Sequence, residues 1–279
     1  MVWQADLTGR RALVTGGRRG IGAAIATRLA AQGASVIIAA DGENAEGVDA
    51  LLDQIKSAGG QASAVFFDLA APAHRRDAVA KAGEAFGPID ILVNNAAANN
   101  YEPPSSMGAE FRRLMFEVNV HGPVDLMQQA LPHMRAQRWG RIINISSAST
   151  AQPPLPYPGA AHHTHGVAVY GASKAALDRF TIGLAAELNG SGVHVNALMP
   201  SNVCVTSANS EAARAALRAH PDWAEGVEMM AEAAFLLIAA PLSGLVMKSR
   251  DVLLMMQQPL HGLDGRSVIG DAHTIPDLS

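Results

Sequence analysis

With one cysteine in 279 residues, Cys204, the chain cannot form an intrachain disulfide. Its fold must rest on burial and hydrogen bonding, and a reducing compartment suits it. Charge is also scarce: 16% of residues are charged, and 21 basic against 25 acidic residues leave a net −4. No basic block collects along the chain, which argues against a nucleic-acid partner held by phosphate neutralisation. Long apolar runs are missing too. The most apolar late stretch, Met229 to Met247, is interrupted by Glu232 and Pro241, short of the ~20 clean residues of a membrane span. The start, Met1 to Asp6, has no basic region followed by an apolar stretch, so no signal peptide is expected and the protein is expected to be soluble and cytoplasmic. What the chain does have is 49% hydrophobic residues, enough for a sizeable buried core.

That apolar content is ordered. Short runs (Ala12–Val14, Val36–Ile38, Ala64–Phe67, Ile89–Val93, Ile142–Ile145, Val193–Val195) alternate with longer stretches of helical periodicity. Continuous apolar runs suit parallel strands buried on both faces. Between the second and third, Val48, Leu51, Leu52 and Ile55 fall on one helical face that Gly59-Gly60 ends. Such alternation predicts right-handed βαβ crossovers and a doubly wound, Rossmann-like α/β sheet in one domain, residues 1–258. Residues 259–279, with few apolar positions, read as an extended C-terminal tail. Gln152 to Gly166 holds four prolines and three histidines and is expected as an inserted loop.

Thr15-Gly16-Gly17-Arg18-Arg19-Gly20-Ile21-Gly22 follows the first strand and opens a helix. Glycines here permit a tight turn and let a pyrophosphate approach free N–H groups where the helix dipole favours negative charge. This turn resembles the cofactor fingerprint of the short-chain dehydrogenase/reductase family, and Asn94-Asn95-Ala96-Ala97 resembles that family's Asn-Asn-Ala-Gly segment. Asn119, Ser147, Tyr170 and Lys174 fall where the family has its catalytic tetrad, and the resemblance spans roughly Asp6 to Thr206.

The resemblance implies an NAD(P)-dependent oxidoreductase acting on a small carbonyl or alcohol, assembled as a homodimer or homotetramer through the helices that hold Leu126 and Leu177. It implies further that Asp68 binds the adenine amino group, with Leu69, Asn95, Ala96, Pro200 and Val203 also against the cofactor. An epimerase, a lyase or a cofactor-binding sensor on the same fold is the alternative.

Tyr170 and Lys174 stand four residues apart in a helical stretch, so phenol and ammonium share a face. A nearby cation favours the ionised phenol, which predicts proton exchange near neutral pH. Ser147 ends a buried strand at its carboxyl edge, where its hydroxyl can stabilise developing charge on a substrate oxygen. By resemblance Lys174 also anchors the ribose, and Asn119 bends its helix and supports a water relay to the lysine.

Two signals bear on the nicotinamide. Arg19, next to Arg18, precedes Gly20 where relatives that prefer NADP carry a base for the 2′-phosphate. Asp41 lies 19 residues after Gly22, near the spacing of an acid that binds the ribose of NAD, yet one position later than the family's NAD-specifying acid. NADP is therefore the expected cofactor and NAD the alternative. Ser201 stands where the family usually has Gly, and the Ser147–Tyr170 separation exceeds the family's by about ten residues. The surplus, Gln152 to Gly166, could be a plain surface loop, but both its ends are tied to catalytic residues. It is expected to act as a lid over an apolar substrate, and its histidines as no metal site, because neighbouring acids and cysteines are missing.

Overall fold

The computed structural model describes residues 5–42, 46–151, 165–207 and 209–278. Seven strands form the central sheet: β1 (Arg11–Thr15), β2 (Ser35–Ala40), β3 (Gln61–Phe66), β4 (Ile91–Asn94), β5 (Gly140–Ile145), β6 (Val193–Met199) and β9 (Val246–Lys248). All neighbours are parallel, in the order β3-β2-β1-β4-β5-β6-β9. Between β6 and β9 the short strands β7 (Val203–Cys204) and β8 (Ala224–Glu225) pair with each other. This is the expected doubly wound sheet, with the strand order reversing direction between β1 and β4. The seventh strand, β9, lay outside the six apolar runs because only Val246 and Met247 are apolar within it.

Alternate residues on each strand serve opposite faces, as a pleated strand requires. Ala12 and Val14 of β1, Val36 and Ile38 of β2, and Ile91 and Val93 of β4 join one core with the helices Gly20–Ala30 and Val227–Ala239. Leu13, Ile37 and Leu92 point into the other, against the helices Ala78–Gly83 and Gly122–Ala136. Because both faces are covered, the inner strands can be apolar on nearly every residue, while the edge strands β3 and β9 stay partly exposed.

Of the expected tail 259–279, the described residues 259–278 are not extended away from the body. Leu260 and Ala272 lie in the same core as β1 and β2. Strands β10 (Leu260–His261) and β11 (Val268–Gly270) pair antiparallel. His261 Nδ1 lies 3.0 Å from Glu232 Oε1, and Arg28 Nε donates to Glu232 Oε2 at 2.7 Å. All three side chains are buried, so a desolvated charge network ties this segment to two helices. Composition misses such a tie because the contacts are polar.

Candidate active site

A cleft of about 620 Å³ opens along the carboxyl edge of the sheet, at the reversal between β1 and β4. Its floor is the glycine-rich turn. Gly16 and Gly20 have φ of 60° and 57°, a region that side chains with a Cβ rarely adopt. Gly22 is excluded from substitution for another reason: a Cβ there would lie 2.5 Å from Asn95 Nδ2 and from the Gly16 carbonyl. Asn95 Nδ2 donates to the carbonyls of Thr15 and Gly16, while Thr15 Oγ1 accepts from the Asn95 and Ala96 N–H groups. The segment after β4 is thus stitched to the turn after β1. The helix Gly20–Ala30 starts at Arg19 without a side-chain cap, so its first N–H groups remain available to an anion in the cleft.

One end of the cleft lies at β2 and β3. Asp41, Asp68, Leu69, Arg18 and Arg19 line it. Among the described residues, neither arginine has a carboxylate partner within salt-bridge range of those resolved. Arg18 runs along Gly47, where a Cβ would meet its Cγ at 3.0 Å. Asp68 Oδ1 accepts from the Ala70 N–H at 2.8 Å, which shapes the loop that presents Leu69.

At the other end the helix Ala168–Glu187 brings Tyr170 and Lys174 against Ser147, and all three line the cleft. Lys174 is 1% exposed, and its Nζ donates to the Ile145 carbonyl at 2.7 Å. Burial pushes its pKa down to about 8, opposed by the charge of Asp178. Tyr170 departs from expectation: burial, and next the nearby Tyr101, push its phenol up to about 12, and a hydrogen bond to Ser147 only partly offsets them. The expected lowering by Lys174 does not occur, because the lysine is aimed at Ile145 and its Nζ stays 5.9 Å from the phenol ring centre. Ser147 Oγ accepts from the N–H and the hydroxyl of Ser149, at 3.2 and 2.9 Å, which leaves its own proton to donate.

Asn119 sits behind the cleft wall, fully buried, in a five-residue π-helical turn, Glu117–His121. Its Oδ1 accepts from Ala98 N, and its Nδ2 donates to Ala98 O and to Ser173 Oγ. One side chain so ties the wall at Ala98 to the residue beside Lys174. Pro200 lines the cleft, but Val203 does not: it is 47% exposed and paired with Ala224 in the β7–β8 ribbon. Thr206 takes the place expected of Val203. Leu114 and Val118, four residues apart beside Asn119, also line the cleft and escaped the sequence reading, although their helical spacing was available there.

Of the inserted loop 152–166, residues 152–164 lie outside the described residues, so the lid and the histidines His162 and His163 are not described. Among the described residues no group of three or more His, Cys, Asp or Glu could hold a metal ion, and no helix is long and apolar enough to cross a membrane.

This geometry can be compared with known proteins. The short chain dehydrogenase family model matches residues 10–216. The short-chain reductase protein NovJ of Streptomyces niveus is 39% identical over 203 residues, 73% of this chain and 72% of its own. Gluconate 5-dehydrogenase of Gluconobacter oxydans is 34% identical over 195 residues, 70% and 72% of the two chains. Among solved structures, an NADP-bound 3-oxoacyl (acyl-carrier-protein) reductase from Agrobacterium tumefaciens C58 is similar with TM-score 0.76 and 32% identity, over 87% of this chain and 93% of that one. A gluconate 5-dehydrogenase from Burkholderia cenocepacia J2315, in complex with NADP and tartrate, gives 0.73 and 30%, over 87% and 94%. A match that runs from before β1 to beyond the cleft-lining Thr206 takes in the whole of the cleft's lining, and on it the chain belongs to the short-chain dehydrogenase/reductase family of oxidoreductases.

Proposed function

We propose that this oxidoreductase is NADP-dependent and interconverts a ketone and a secondary alcohol on a small molecule, with Tyr170 as the proton donor and acceptor. The observation that carries the reading is the meeting of Tyr170, Ser147 and Lys174 at one end of a cleft whose other end holds two arginines without carboxylate partners among the described residues. The cleft fits a dinucleotide phosphate: its floor is backbone at Gly16 and Gly20, both at positive φ, and a helix N-terminus without a side-chain cap faces it. Relatives solved with NADP add to the cofactor assignment.

When bound, the nicotinamide supplies or accepts the hydride. The chain's part is then protonic and electrostatic. With its phenol at about 12, Tyr170 stays protonated throughout the neutral range and gives its proton to the oxygen of a carbonyl under reduction. Ser147 donates to that same oxygen as negative charge grows on it. Lys174 has one of its three donors on Ile145 and keeps the others for the ribose. Asn119 holds the Ala98 wall and the Ser173 turn in register. In the oxidative direction the same groups run in reverse, and the high pKa of Tyr170 makes that direction faster as pH rises.

The assembly is a homodimer or homotetramer through the outer faces of the helices Gly122–Ala136 and Ala168–Glu187. Leu126 and Leu177 themselves face the protein's own interior and are fully buried. The outward surface is the exposed Phe180 on a groove lined by Val124, Met127, Leu131 and Leu184, with Gln128 and Glu187 at its polar positions.

A panel of ketones and alcohols, followed by NADPH and NADH absorbance and fluorescence, tests the activity. Turnover of at least one carbonyl with NADPH preferred is expected. Tight NADPH binding without turnover of any carbonyl or alcohol would replace the enzyme by a cofactor-binding sensor.

A further inference from the structure

The family resemblance leaves Ser201, Glu225 and Ser249 without a role, yet the three meet beside the catalytic end of the cleft. Glu225 is fully buried, on β8. Its Oε2 accepts from the N–H groups of Ser201 and Asn202 at 3.0 and 3.3 Å, and its Oε1 from Ser249 Oγ at 2.6 Å. Ser249 Oγ lies 3.1 Å from Ser201 Oγ, which in turn accepts from the Arg250 N–H at 3.1 Å. A carboxylate taken wholly out of water costs several kcal/mol unless its oxygens are filled. Here the filling comes from the two residues that follow the cleft-lining Pro200, from the serine that follows β9, and from Arg250, whose Nε lies 3.7 Å from Glu225 Oε2.

Position matters as much as bonding. β7 and β8 pair Val203 with Ala224 and Cys204 with Glu225, and Val205 N donates to Glu225 O at 2.9 Å. Pro200 and Thr206, which bracket this ribbon, both line the cleft. Thr206 also abuts the glycine turn, since a Cβ on Gly20 would lie 3.3 Å from its Cγ2. Glu225 is therefore the fixed point behind one wall, which starts at Pro200 after β6, the strand beside β5 and its Ser147, and ends at Thr206 against the glycine turn. Ser201 fits its place without strain, because its φ is not among the positive values and its hydroxyl is used.

We infer that Glu225, with Ser249 and Ser201, is a positioning device that fixes the wall of the cleft against which the nicotinamide half of the dinucleotide lies. The inference rests on the cofactor reading above. It assigns no contact between Glu225 and the cofactor; the residue acts through the backbone of Pro200 to Asn202.

The test compares two ligands of the wild type and of Glu225→Ala, Glu225→Gln and Ser249→Ala by titration. One ligand is NADPH; the other is adenosine 2′,5′-bisphosphate, which lacks the nicotinamide half. Glu225→Ala should weaken NADPH about tenfold or more while the bisphosphate changes less than about twofold. Glu225→Gln keeps one carbonyl oxygen for the two N–H groups and should recover most of the loss, with Ser249→Ala in between. If Glu225→Ala does not fold, the other two variants decide on the same ratio. Parallel weakening of both ligands, or an unchanged ratio in every folded variant, overturns the inference and leaves the cofactor reading standing. A wild type that binds NADPH no better than the bisphosphate overturns both.

Discussion

At the β1–β2 end of the cleft the surfaces that matter are backbone: two glycines at positive φ, a third where no Cβ fits, and helix N–H groups. At the β5–β6 end they are side chains taken almost wholly out of water: Lys174 at 1% exposed, Asn119 and Glu225 at zero. The first construction recognises phosphate by shape and dipole and needs few specific side chains. The second stores its function in desolvated polar groups, whose energies are large and whose partners are fixed. The two ends should therefore fail differently when mutated: the first by losing affinity, the second by losing rate or shifting with pH.

The sharpest separation comes from Tyr170→Phe. It deletes one hydroxyl and leaves the ring packed, so turnover should fall by about 10² to 10⁴ while NADPH affinity and melting temperature change little. Steady-state rates and binding titrations check it, and a variant that retained more than about a tenth of the wild-type rate would remove Tyr170 from the mechanism.

Lys174→Met should also abolish most turnover, but with a gain in stability. The lysine's pKa falls from 10.5 unfolded to about 8 folded. Folding thus expels a proton between those values, and the resulting destabilisation is complete below pH 8 and fades as pH rises toward 10.5. It is worth roughly 3 kcal/mol by that shift, less about 1 kcal/mol for the lost bond to Ile145. Methionine carries no such penalty, so the variant should melt higher than wild type at pH 6 to 7, with the gap closing by about pH 10. Tyr170, raised from 10 to about 12, lowers stability between those values in both proteins and cancels from the comparison. Melting curves across pH would read the gap directly, and a constant gap would mean that Lys174 is not desolvated as described.

The β2 end should respond in affinity alone. Arg19→Ala should weaken NADPH about tenfold or more and NADH little, because only NADPH carries a 2′-phosphate for the guanidinium. Asp41→Ala should leave NADPH equal or better. Loss of NADH use in Asp41→Ala, with NADPH poor throughout, would make NAD the cofactor.

Much of this arrangement was legible in the residues. The six central strands are readable because strands buried on both faces leave short, nearly apolar runs, though Asn144 and His194 interrupt β5 and β6, and the glycine turn because φ and steric limits leave little choice of residue. β9, the docking of the β10–β11 hairpin and the Glu225 knot were not, since β9 is short and pairs with β6 some 49 residues away, and the hairpin and the knot are tied to distant chain through polar groups that look like surface residues in sequence. Glu225 and Ser249 are 24 residues apart, and Arg28 and Glu232 are 204 apart. The same limit explains Tyr170: helical spacing puts Lys174 on its face, but only the fold shows the ammonium pointed at Ile145 and the phenol raised.

The smallest expected effect lies one turn beyond the lysine. Asp178, buried, with its own carboxyl raised by that burial and the rise partly offset by a hydrogen bond to Ser146, supplies the charge that keeps Lys174 from falling further. Asp178→Asn removes that charge and keeps the shape. The ammonium then loses its proton at a lower pH, so any step that needs Lys174 charged should lose its alkaline limb earlier. Because burial already favours the neutral form of Asp178, the displacement should stay under about one pH unit. The profile of kcat with pH should therefore move to lower pH with its maximum nearly unchanged, while NADPH binding at pH 6 stays as in wild type. A profile that moved upward, or did not move while Lys174→Met abolished turnover, would show that the lysine's charge is set by Ile145 and the surrounding burial alone.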